Sequence, residues 1–159
     1  MRTCFILVGC LSAWSAFAQS DEVRANQFNL KGSLAIQGYD PVSYFTQGRA
    51  EKGKQAFSVT DHGVTYYFAS EKDRGLFQGD PAKYEPKYGG WCAYAMGHDG
   101  SKVEVDPGTF KIINGQLFLF YNQFFNNTLK SWNLDEPRLY KQAEANWQRI
   151  IQQNQKTAI

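Results

Sequence analysis

Apolar and polar positions alternate most clearly in two places along the chain. In Ala56-Phe57-Ser58-Val59-Thr60 they exchange residue by residue, and Val64-Thr65-Tyr66-Tyr67-Phe68 returns rich in β-branched and aromatic side chains. Asp61-His62-Gly63 between them supplies a turn, so residues 56–68 predict a hairpin. Phe110 to Ile113 and Gln116 to Tyr121 predict a second, because Asn114-Gly115 between apolar runs is the strongest short hairpin signal. The period changes near the C-terminus. Leu139, Tyr140, Ala143, Trp147, Ile150 and Ile151 fall on one stripe at helical spacing, which predicts an amphipathic helix over 136–153. Asn133 or Asp135 caps it, and Pro137 stands in its first turn. Its polar face mixes Arg138, Lys141, Glu144 and Arg149, which suits a lid on the sheet better than a membrane-bound helix.

Shorter elements follow from punctuation. Asp40-Pro41 reads as a helix start with Asp40 as N-cap, closed by Gln47-Gly48. Ser70 with Asp73 three residues on begins a helix that runs through Phe77. Asp80-Pro81 starts one more turn, carrying Tyr84, and Asp106-Pro107 repeats the device. Residues 122–131 read as a polar loop, and residues 19–32 as a loose or helical lead-in. Gly89-Gly90 marks positive φ or a close backbone approach. The fold class expected is α+β: a small antiparallel sheet of two hairpins, short helices and a covering C-terminal helix. One domain spans 33–153, with a tail at 154–159.

Composition narrows the function classes. A chain of 159 residues is about one domain, and 12 Phe, 9 Tyr and 4 Trp give ample core material. A net charge of +2 and no basic stripe argue against nucleic acid. Walker, dinucleotide-binding, nucleophile-elbow and zincin motifs are missing, and no isolated carboxylate pair suggests acid–base hydrolysis. Arg2, the apolar stretch from Phe5 to Phe17 and the small-x-small Ala16-Phe17-Ala18 form a secretory signal over 1–18, so the destination expected is periplasmic or secreted, with no integral membrane segment left. A rival lipobox, Leu7-Val8-Gly9-Cys10, would lipidate Cys10. Cleavage after Ala18 removes Cys4 and Cys10 and leaves one thiol, Cys92, with no intramolecular disulfide available.

Three blocks resemble the YHS-domain family in its exported, single-domain form. They are Gly38-Tyr39-Asp40-Pro41-Val42-Ser43-Tyr44-Phe45, Gly63-Val64-Thr65-Tyr66-Tyr67-Phe68-Ala69-Ser70 and Phe77-Gln78-Gly79-Asp80-Pro81-Ala82-Lys83-Tyr84. Pro86 to Met96 is similar to the block that follows in exported members, and the resemblance spans about residues 33–121. It implies a small metal-binding module. The positions that match the family's cysteines are Ser43, Ala69 and Asp73, so its thiolate cluster does not carry over.

Two constellations could still carry chemistry. Cys92, Met96 and His98 make a soft donor set suited to copper or zinc. Cys92 could equally be a buried small hydrophobe, or a nucleophile with His98 as base. His62 and His98 stand in turn-like contexts and could be plain surface residues. Tyr39, Asp40, Tyr44, Tyr88 and Trp91 could line a pocket for a small ligand, or serve as a cap with packing aromatics. The functions expected are a binding module for a metal ion or small ligand without turnover, a thiol-dependent enzyme, or a partner-binding domain with no small-molecule site.

Overall fold

The computed structural model describes residues 21–157. The export signal and the Cys10 lipobox expected over 1–18 lie outside the described residues. The chain is α+β, as its patterning predicts. Strands β1 (Leu30–Lys31), β2 (Leu34–Ala35), β3 (Lys54–Asp61) and β4 (Val64–Phe68) form one sheet in the order β1-β2-β4-β3. Strands β5 (Asp106–Ile113) and β6 (Gln116–Phe120) form a second, and the short pair β7 (Asn122–Gln123) and β8 (Asn126–Asn127) a third.

Both expected hairpins are present. They stand in separate sheets, and β2 joins β4 in parallel through Leu34 and Thr65. Alternation along β4 buries Val64, Tyr66 and Phe68, as a strand with one core face requires. Strand β6 behaves differently. Leu117 and Leu119 enter one core cluster, with Tyr66, Phe68 and Phe77; Phe118 and Phe120 enter another, with Met96, Trp132 and Leu139. The uninterrupted run Leu-Phe-Leu-Phe is the signature of a strand covered on both faces.

Residues 21–25 are helical, and the helices that follow are α1 (Ser43–Thr46), α2 (Glu71–Gly79), α3 (Pro81–Tyr84), α4 (Ala93–His98), α5 (Thr128–Leu134) and α6 (Glu136–Thr157). Ser70 caps α2, accepting the Asp73 amide at 3.1 Å, and Asp80 caps α3 through the Lys83 amide at 3.3 Å. Helix α6 runs four residues past its expected end, through Thr157, and lays Leu139 and Ala143 into the second core. Gly97 allows α4 to approach it: a Cβ there would stand 2.5 Å from the Leu139 carbonyl oxygen.

Two local expectations change. The segment 122–131 is not a loop but β7, β8 and the start of α5, whose N-cap Asn127 accepts the Leu129 amide at 3.1 Å. Asp106-Pro107 opens a strand, not a helix, at a register irregularity between Asp106 and Phe110. Among the described residues no helix is long and apolar enough to cross a membrane.

Candidate functional site

Cys92 is the N-cap residue of α4, placed there by two backbone bonds. Its amide donates to the Val103 carbonyl at 2.9 Å, and its carbonyl accepts the Met96 amide at 3.0 Å. The side chain is fully buried. Its sulfur accepts the Tyr121 amide at 3.4 Å and stands 3.4 Å from Thr128 Oγ1. The Thr128 hydroxyl donates to the Tyr121 carbonyl at 2.9 Å, so its oxygen is left to accept from the thiol. Accepting from an amide and donating to a hydroxyl are both within the capacity of a cysteine S–H.

Above this thiol lies a cleft of about 310 Å³. Tyr94 and His98, one helical turn apart on α4, wall one side with their rings 5.6 Å apart and nearly parallel, tilted by 28°. Tyr121 and Val103 add apolar surface; Ser101, Asn126 and Thr128 add polar groups. His98 is on the rim, its ring more than half exposed and its Nδ1 3.5 Å from Asp99. The Asp99 carboxyl is held below the usual carboxylate range, chiefly by hydrogen bonds from Ser101 and secondarily by His98.

The soft donor set is only partly brought together: Cys92 and His98 both line the cleft, and Met96 does not. Cys92 and His98 stand at opposite ends of α4, six residues and about 9 Å of helix rise apart. Met96 points into the second core, against Trp132 and Leu139, and is not part of the cleft wall. Among the described residues no three His, Cys, Asp or Glu side chains converge as a metal site.

The aromatic constellation is dispersed. Tyr44 donates its hydroxyl to the Pro107 carbonyl at 2.9 Å, Tyr88 to Glu144 at 2.9 Å, and Trp91 its indole N–H to the Gln27 carbonyl at 2.7 Å. Tyr39 lies under the Lys52 ammonium at 4.2 Å. Burial pushes the Tyr44 and Tyr88 hydroxyls well above the ordinary phenol range. Each tip serves a different neighbour, so these rings pack separate joints of the fold. Tyr88 lines a second cleft of about 360 Å³, with Arg24, Glu85 and Trp147.

Its place before Pro41 predicts an N-cap, but Asp40 is not the N-cap of α1; that position is Val42, which makes no side-chain cap bond, and Asp40 instead ties the preceding turn down. One carboxylate oxygen accepts the Val42 amide at 2.7 Å and the other the Ala69 amide at 2.8 Å, tying the α1 turn to the end of β4. The Ser43 hydroxyl donates to the Asp40 carbonyl at 2.8 Å. Burial raises the Asp40 carboxyl above its ordinary value, against the pull of the two amides, and Asp73 adds to the rise.

Sequence reasoning missed Tyr94, Tyr121 and Thr128 as cleft residues. Tyr121 and Thr128 flank β7 and β8, whose pairing carried no hydrophobic alternation to announce it. Tyr94 was visible only as one aromatic among the small residues after Cys92. Compared with protein-family models, curated proteins and solved structures, the chain matches none of them.

Proposed function

We propose that the chain is an exported, YHS-like binding module that holds a small ligand in the cleft over Cys92, without turnover. The cleft itself carries this reading. Its volume falls at the small end of ligand pockets, which run about 300–1,000 Å³, and it joins aromatic walls to a few hydrogen-bonding groups. A thiol enzyme needs a base within reach of the sulfur, and here the sulfur's partners are an amide and a threonine hydroxyl. The neighbourhood of Asp40 supports the family resemblance. Ser43, Ala69 and Asp73, which match the family's thiolate positions, all bond to Asp40 or act on its charge.

The test is to titrate water-soluble aromatic and heteroaromatic fragments into the labelled protein and follow backbone amide resonances. Shifts should gather at Tyr94, His98, Tyr121 and Thr128, and Ser101→Trp should suppress them. No response at these amides up to about 10 mM fragment would overturn the proposal, since that is weaker than the loosest useful affinity. Tight Cu(I) or Zn binding that Cys92→Ala abolishes would replace it with a metal-binding function. N-terminal sequencing of the protein recovered from the exported fraction should begin at Gln19.

A further inference from the structure

Among the described residues four two-residue turns connect antiparallel strands, and one of them departs from the residue pattern of the others. Gly32-Ser33, between Lys31 and Leu34, contains glycine, as do the next two. His62-Gly63 joins Asp61 to Val64, and Asn114-Gly115 joins Ile113 to Gln116. Both turn residues have positive φ in each case, 44° and 81° at His62-Gly63 and 51° and 73° at Asn114-Gly115. That is the I′ pattern, with glycine where the left-handed conformation is most demanding. The fourth turn has no glycine: it joins Gln123 to Asn126 with Phe124 and Phe125, at φ 50° and 64°. Two bulky residues in the left-handed region are strained. Among the described residues no packing on the rings offsets that strain: Phe124 is 87% exposed and Phe125 fully so, at 111%.

The surroundings point to what meets these rings. Residues 112–129 contain no Asp, Glu, Lys or Arg, and the charges bounding that stretch are Lys111 and Lys130. Lys111 is paired with Glu136, whereas Lys130 is exposed with no ion-pair partner among the described residues. The hairpin is flanked by Asn122, Gln123, Asn126 and Asn127, so no charge need leave water with the rings. Its strands pair with each other, so a tip entering an apolar medium takes few unpaired backbone groups with it. Area argues against a protein groove: two aromatic rings bury about 300–500 Å², well short of the ~800 Å² per partner that a stable interface needs. A lipid interface has no such requirement.

We propose that the β7–β8 hairpin is a membrane-contact finger, which inserts Phe124 and Phe125 among lipid chains while Lys130 faces the headgroups. This goes beyond the ligand-cleft proposal and does not depend on it. The test is co-sedimentation of the processed, exported protein with vesicles of phosphatidylcholine alone and of equal parts phosphatidylcholine and phosphatidylglycerol. The wild type should sediment with both, and more with the anionic mixture. Phe124→Asn/Phe125→Gly should lower partitioning about tenfold or more while raising the melting temperature, because Asn-Gly suits the turn. Lys130→Glu should weaken binding to the anionic vesicles only. Wild-type protein that stays in the supernatant, or a double variant that binds as well as wild type, would overturn the proposal. So would wild-type self-association in sedimentation velocity that the double variant abolishes, since the rings would then meet a second copy of the chain.

Discussion

Two buried or half-buried carboxylates titrate in opposite senses, and each should show it. Asp40 has its folded pKa raised by burial above the ordinary 3.8. Its contribution to stability is therefore complete below that value and is lost as pH rises through the folded pKa. Asp40→Asn keeps one acceptor for the Val42 and Ala69 amides and should cost about 1–3 kcal/mol in urea denaturation. The deficit should be largest near pH 3 and smaller at pH 7. Glu136 has its pKa lowered from 4.5, first by the Lys111 ammonium and also by the Trp132 indole N–H. Its contribution is present above 4.5 and lost as pH falls through the folded pKa. Glu136→Gln should cost about 1 kcal/mol or less at pH 7, because solvent screens the pair, and nothing once both forms are protonated. Cys92→Ala leaves the Tyr121 amide without its acceptor and opens a small cavity, for a loss of about 2 kcal/mol. A thiol reagent should react with Cys92 slowly in the native protein and rapidly in denaturant.

At the scale of elements, what could be read from the sequence depended on whether the signal was local. The caps at Ser70 and Asp80, the Asn114-Gly115 turn and the stripe on α6 are local, and all are present. Asp40-Pro41 marked the approach to α1, but the N-cap is Val42, and the Asp40 bond to Ala69 spans 29 residues and leaves no trace in the local pattern. The β7–β8 hairpin hid because its turn is Phe-Phe, the opposite of the usual turn chemistry. Of the donor set Cys92, Met96 and His98, Cys92 and His98 line one cleft from opposite ends of α4, about 9 Å of helix rise apart, while Met96 turns into the second core. Gly97 supplies an element-scale test. Adding a methyl group at the α4–α6 crossing forces backbone apart, so Gly97→Ala should cost about 1–3 kcal/mol, measured by thermal unfolding.

Over the whole molecule, the N-terminal segment acts as a strap across the two clusters. Arg24 donates to the Asp61 carbonyl at 3.0 Å and pairs with Glu85, which also accepts the Tyr66 hydroxyl at 2.9 Å. Asn29 donates its amide to the Gly89 carbonyl at 2.8 Å, and the Gln27 carbonyl receives Trp91. Arg24→Ala should therefore leave a half-buried Glu85 without its cation and speed proteolysis within residues 21–29, followed by limited digestion.

Strand β6 has a consequence for how the chain tolerates change. Because leucines face one core and phenylalanines the other, a slip of one residue would exchange the two sets and misfill both at once. The Asn114-Gly115 turn therefore works as a phase lock for the entire interior. One residue inserted there would leave the composition of the strand intact and still scramble the packing on either side. A length change that a surface hairpin elsewhere could absorb becomes, at this turn, an error shared by the whole protein.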